Sequence, residues 1–224
     1  MTDLATVTPI NSASSVMIER AAFYAALKTV AMFQSTDELR ERLSAVYFET
    51  INGQLHIVAT DGHTLAWAQP IGKVAGPDAS ILLHSGHVKA LLAALKPTRV
   101  NGCNELTVAI GGSLKITGPD IALERSMSST LKASDFPPYQ TVVPEQTSPD
   151  HHNAVNVYGI SPLWLERAGK AAIAWMGRGA LRALSNDTGF TVTAPDEALS
   201  AMRLDMSTPD VGKLTLVLMP MRLG

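Results

Sequence analysis

Several side-chain groupings in this sequence have types and spacings that could carry chemistry. Ser129 and Lys132 stand in the Ser-x-x-Lys spacing of serine acyl-enzymes, where a lysine activates the hydroxyl. No Lys-Thr-Gly or Ser-Asp-Asn segment accompanies them, so chance is the better reading. His84 and His87 lie three apart, and Asp150, His151 and His152 adjoin one another. Either group offers imidazole or carboxylate to a metal, but neither completes a ligand set in sequence. A phosphate loop of the Gly-x-x-x-x-Gly-Lys type is missing, as is a Gly-x-Gly-x-x-Gly fingerprint after a strand. The expectation is a non-enzyme that takes no cofactor and no metal.

Composition narrows the class. The 224 residues suffice for one large or two modest domains, and 46% hydrophobic against 17% charged residues argues against extensive disorder. No apolar run approaches a bilayer span, and the N-terminus lacks a signal pattern, so no membrane association is expected. Cys103 is the single cysteine, which excludes an internal disulfide and fits a reducing, cytoplasmic setting. Net charge is −2 with a pI near 6.3. A protein that neutralises many phosphates is usually basic, so any DNA contact here must come from local charge placement.

The elements that would position functional residues recur as a unit: a short strand, an amphipathic helix and a strand meander. Residues 1–14 read as a mobile tail. The first copy has a strand at Val16–Ile18, a helix over Glu19–Phe33, and strands at Ala45–Thr50, Gln54–Thr60 and Thr64–Gln69. Asn52-Gly53 marks a tight hairpin, and Asp61-Gly62-His63 a second reversal. Leu55, Ile57 and Ala59 alternate with polar partners, as in a half-buried antiparallel strand. The second copy has a strand at Ser80–Leu83, a Ser85-capped helix to Leu95, and strands at Leu106–Ile110, Ser113–Thr117 and Ile121–Met127.

The third copy has a strand at Ala154–Tyr158 and a helix that opens on Ser161-Pro162, runs to roughly Met176 and is stopped by the Gly177 and Gly179 pair. Strands at Ala180–Ser185, Phe190–Thr193 and Leu199–Met206 come next, with a final strand at Leu214–Leu223. Phe136–Asp150, rich in Pro, Ser and Thr, is the candidate linker stretch, with the division itself at residues 147–152. One such unit cannot bury both sheet faces alone. The fold class is therefore α+β, with antiparallel sheets and helices gathered on one face. The first two units, residues 15–146, should complete one domain, and residues 153–224 a shortened partner.

Basic residues line the polar sides of all three helices: Arg20 and Lys28 with Tyr24, then Lys89 and Lys96, then Arg167, Lys170 and Arg178. Ordinary solvated faces would look the same in any one helix. Their agreement in an acidic protein favours a weakly basic surface for loose contact with duplex phosphates, without base reading.

Three segments carry a family resemblance. The run Ile57-Val58-Ala59-Thr60-Asp61-Gly62-His63-Thr64-Leu65-Ala66 resembles the Val-Ala-Thr-Asp-Gly-His-Arg-Leu-Ala stretch of the bacterial DNA polymerase III beta subunit, the sliding clamp. Asp135-Phe136-Pro137-Pro138-Tyr139, followed by Val142-Val143-Pro144, is similar to its Phe-Pro-Asp-Tyr segment. Val217-Leu218-Met219-Pro220-Met221-Arg222-Leu223 resembles its C-terminal Val-Val-Met-Pro-Met-Arg-Leu. The resemblance spans Val16 to Leu223 and covers the family's middle domain and a shortened last domain. It implies the DNA-clamp fold of repeated half-domains. It also implies a processivity factor that docks DNA polymerase, clamp loader or repair factors through short linear peptides.

Carried over by position, the docking groove would be walled by Thr60, Gly62, His63, Thr64 and Leu65. Pro137, Thr141 and Val142 would join them, with Val217, Met219, Pro220, Met221 and Arg222 from the end of the chain. The residue types fit: Leu65, Val142, Val217 and the two methionines can form an apolar cleft for Leu or Phe anchors, and methionines re-pack around varied sequences. For Met219 and Met221 core packing of a final strand stays open, as does a backbone-satisfied turn role for His63. The family's first domain has no counterpart, the last is short after Met206, and Thr64 replaces a usual basic residue. A ring would need several chains, so a homo-oligomer around DNA and a clamp-derived peptide-binding regulator or decoy both remain open.

Overall fold

The computed structural model describes residues 13–37, 39–96, 105–118, 121–127, 130–144, 160–182, 190–193 and 201–219. β1 (Ser14–Glu19) runs directly into α1 (Arg20–Ala31). A meander comes next: β2 (Ala45–Ile51), β3 (Gln54–Thr60), β4 (Thr64–Pro70) and a short β5 (Gly72–Ala75) that had no sequence signal. β6 (Ala79–His84) leads into α2 (Ser85–Leu95), then β7 (Glu105–Ile110), β8 (Leu114–Gly118) and β9 (Ile121–Met127). A segment with two 3-10 turns, Ala133–Asp135 and Tyr139–Val142, precedes α3 (Pro162–Arg182). The chain closes with β10 (Thr191–Thr193), β11 (Met202–Thr208) and β12 (Gly212–Leu218).

The local reasons are visible at the turns. Asn52 and Gly53 adopt φ of 51° and 73°, the left-handed pair that a two-residue hairpin requires. α2 is capped by His84, whose Nδ1 accepts from the Gly86 N–H at 3.4 Å; Ser85, expected to cap it, is its first helical residue. Gly177 breaks α3 with φ 78° and ψ 155°, but helix resumes after it. The part of the expected strand that is described, residues 180–182, is thus helical: only Gly177 leaves the helical conformation, Gly179 does not, and Ala, Leu and Arg beyond them are strong helix formers. The expected strand at Ala154–Tyr158 and the 147–152 division lie outside the described residues.

Among the described residues the strands form two antiparallel sheets, ordered β5-β1-β7-β8-β9 and β10-β11-β12-β4-β3-β2-β6. The final strand β12 pairs along β4, from Gly212 opposite Pro70 to Leu218 opposite Thr64. The third unit therefore completes the sheet that the first began, and one hydrophobic core runs through both. That core takes Phe23, Leu27 and Val30 of α1, Val88 and Leu91 of α2, and Ala171 and Trp175 of α3. From the seven-stranded sheet it takes Phe48, Ile57, Ala66 and Leu216. Gly212 makes the join possible: at φ 119° a side chain there would collide with the Gln69 carbonyl.

The opposite face of the same sheet is also covered. Ala45, Val58, Leu65 and Val217 point away from the helices and pack with Phe136, Tyr139 and Ala201. Tyr47 stacks on Phe136, ring centroids 5.0 Å apart and planes within 4°. Strand β3, expected to be half buried, is consequently buried on both faces from Leu55 onward. Composition marks Phe136–Asp150 as linker, but in its described part the aromatic rings and Val143 have apolar surface to bury, and the sheet face receives it. No described helix is long and apolar enough to cross a membrane.

Candidate functional site

The β3–β4 turn is closed by its own side chains. Thr60 Oγ1 donates to the Thr64 carbonyl at 2.7 Å and accepts from the Gly62 N–H at 3.0 Å. Asp61 Oδ1 accepts from the N–H groups of His63 and Thr64 and from the Thr64 hydroxyl, at 3.0, 2.7 and 3.0 Å. Gly62 supplies the positive φ of 91°. Short polar side chains that bond the backbone two and three residues on are what make such a turn rigid.

Helix α3 clasps this turn from outside. Arg167 Nη1 donates to Asp61 Oδ2 at 2.5 Å and to Thr64 Oγ1 at 2.9 Å, while its guanidinium lies over the Phe33 ring. The His63 ring stacks on Trp164, centroids 6.3 Å apart. Burial, the largest single influence, pushes the Asp61 carboxyl up, but Arg167 and the turn's donors outweigh it and hold it below its usual range. The His63 carbonyl in turn accepts the Met219 N–H at 3.0 Å, tying the end of β12 to the turn.

The third wall is the 136–143 strap. Tyr139 donates to Glu49, which also accepts from Tyr47 at 3.1 Å, and His56 Nδ1 lies 3.0 Å from the Tyr139 hydroxyl. Burial alone would raise the Glu49 carboxyl; the bonds from His56, Tyr139 and Tyr47 reverse the balance and hold it low. The Tyr139 phenol is pushed up by burial and by its carboxylate partner. Farther along, Arg203 donates to the Pro144 carbonyl at 2.7 Å while paired with Asp205, fixing the strap to β11.

Turn, strap and β12 enclose a cavity of about 280 Å³. Thr60, Gly62, His63, Thr64 and Leu65 line it from the turn, Pro137 and Val142 from the strap, and Val217 and Met219 from the chain's end. Val142 and Met219 remain exposed at its mouth, 52% and 41% accessible. Thr141 is not on the lining; its hydroxyl turns back to the Pro138 carbonyl at 2.8 Å. Pro220, Met221 and Arg222 lie outside the described residues. Leu43 and Tyr139 also line the cavity, although neither is among the groove residues that the resemblance implies. Leu43 sits in an aperiodic loop with no signal, whereas a tyrosine within a proline-rich run was a readable one.

No family profile matches the sequence, and no curated protein matches it. Solved structures do match. The DNA polymerase III beta subunit of Thermotoga maritima aligns with a TM-score of 0.56 at 18% identity, over 99% of this chain and 69% of that one. The beta clamp of H. pylori, in complex with diflunisal, aligns at 0.60 and 14% identity, over 100% and 71%. The sliding clamp of Pseudomonas aeruginosa, with ligand, aligns at 0.55 and 16% identity, over 99% and 69%. The chain has the bacterial sliding-clamp fold.

Within that clamp fold the basic helix residues divide. Lys89 on α2 and Lys96 just beyond its end are exposed. Lys28 is exposed beside the Tyr24 ring, and Lys170 pairs with Glu166 at 2.7 Å on the α3 surface. Arg20 is different: it donates to the Leu95 and Ala94 carbonyls and so closes the end of α2. Arg167, expected on a phosphate-facing surface, is turned toward Asp61. The Arg178 side chain lies outside the described residues. Among the described residues no cluster of three or more His, Cys, Asp or Glu could hold a metal.

Proposed function

We propose that the chain is a clamp-like docking protein that takes short linear peptides of polymerases, clamp loaders or repair factors in the turn–strap–β12 cavity. The observation that carries this reading is the convergence of three sequence-distant segments on one apolar-lined cavity. The same segments resemble the beta-subunit family in sequence. A cavity of about 280 Å³ suits one or two apolar anchor side chains, and a rigid turn limits the ordering cost of binding. Leu and Phe anchors seated in such a pocket are typically worth ~2 kcal/mol or more each.

The test is fluorescence anisotropy with a labelled Gln-x-x-Leu-Phe peptide against the full chain and a chain lacking residues 219–224. Loss of binding in the shortened, folded chain supports the reading. Equal affinity in both removes the pocket assignment.

Two settings for this activity are distinguishable. In the first, several chains close into a ring on duplex DNA, supported by the exposed Lys28, Lys89 and Lys96. In the second, the chain is a peptide-binding regulator or decoy, supported by its net charge of −2 and by Arg20 and Arg167 being committed to internal partners. Retention on nicked circular plasmid with release on linearisation favours the ring, because only a closed ring slides off free ends.

A further inference from the structure

We propose that Arg167 is a positioning residue for the docking groove. Delivered by α3, it holds the Asp61–Thr64 turn in the shape that presents His63 and Met219 to a peptide. This inference rests on the docking reading of the cavity.

The geometry runs in one chain of contacts. Asp61 Oδ1 is filled by donors of its own turn, and Arg167 is the donor that Oδ2 receives from another element. The guanidinium bridges Oδ2 and Thr64 Oγ1, so it grips both ends of the turn at once. Its own position is set by the buried Phe33 ring beneath it. One helical turn earlier on the same face, Trp164 stacks on the His63 ring, which lines the cavity. The His63 carbonyl then anchors the Met219 N–H at the cavity mouth. A change at Arg167 therefore reaches two separate walls through hydrogen bonds, although Arg167 is not part of the lining. Arg167 is only a third exposed and Asp61 less, so the pair is shielded enough to hold geometry, unlike a surface ion pair.

Among the described residues the other charges near the turn do not duplicate this role. Arg40, from the loop before β2, lies beside Gly62 and pairs with Asp37 at 3.4 Å. His63 directs its ring to Trp164. Among the described residues the remaining donors to Asp61 belong to its own turn and cannot tie it to α3.

The experiment uses the full chain with Arg167→Gln and Arg167→Lys, which keep most of the side-chain length over Phe33. Peptide affinity is followed from neutral pH down through the carboxylate range, and the His63 ring and Met219 methyl signals are followed by NMR without peptide. R167Q is expected to bind about tenfold more weakly, the scale of one lost charge-assisted hydrogen bond. Its acid loss of binding should begin at higher pH, because Asp61 no longer has its strongest partner. R167K should recover part of both effects, and the His63 and Met219 signals should move in R167Q. Unchanged signals together with an unchanged acid profile overturn the inference. If the parent chain binds no peptide, the docking reading fails; the peptide-free signals then still decide whether Arg167 shapes the turn.

Discussion

Asp61 and Glu49 both have carboxyls held below their ordinary range by donors that outweigh burial. The sign of the consequence comes from linkage. A carboxyl whose folded pKa is depressed stabilises the fold above its unfolded value, and that contribution is lost as pH falls through the folded value. Acid titration followed by circular dichroism should therefore show stability declining from the usual carboxylate range downward, with a shallower decline in Asp61→Asn. At the same scale, Tyr139→Phe keeps the ring against the cavity but removes the donor to Glu49. Urea unfolding should register a loss of about 1–3 kcal/mol, with peptide affinity nearly unchanged. Met219→Ala is expected to do the reverse: a small change in stability, because the residue is exposed, and a loss of about 2 kcal/mol in peptide binding by anisotropy.

At the scale of elements, β12 does two jobs: it completes the seven-stranded sheet against β4 and carries Val217 and Met219 into the cavity. The β4–β12 pairing depends on backbone approach at Gly212, so Gly212→Ala should be strongly destabilising, by about 2 kcal/mol or more in thermal or urea unfolding. A melting curve matching the parent's would remove the close-approach argument. The strap is the element whose character the sequence concealed. Its prolines mark it as irregular, and it is irregular, but Phe136 and Tyr139 make it a second covering layer. Its role as a cavity wall comes from that packing. Helix α3 shows the opposite case: Ser161-Pro162 marks its start and Gly177 its interruption, while Gly177 and Gly179 mask the helix propensity of Ala180, Leu181 and Arg182 that resumes it.

For the whole molecule, the exposed lysines give a measurable test of the DNA-contact reading. If Lys89 and Lys96 each meet a phosphate, replacing either with Ala should reduce the log–log salt slope of DNA binding by about 0.9. Arg167→Gln should leave that slope unaltered, since its guanidinium is held by Asp61. A slope unaffected by all three favours the regulator setting. Much of this architecture was legible in sequence, because strands, helices and tight turns obey periods and backbone preferences that neighbouring residues set. Phe23, Leu27 and Val30 one turn apart, Asn52-Gly53 between alternating runs, and the three family-like segments were all readable from residue order alone. What the tertiary structure decided is how distant segments meet. Nothing local tells Leu214–Leu218 to pair with β4, Phe136 to stack on Tyr47, or Arg167 to turn from solvent toward Asp61. Those choices depend on burial and charge pairing between elements that lie far apart along the chain. The sequence alone determined the residues of the groove's turn; only the folded chain determined which helix holds that turn in place.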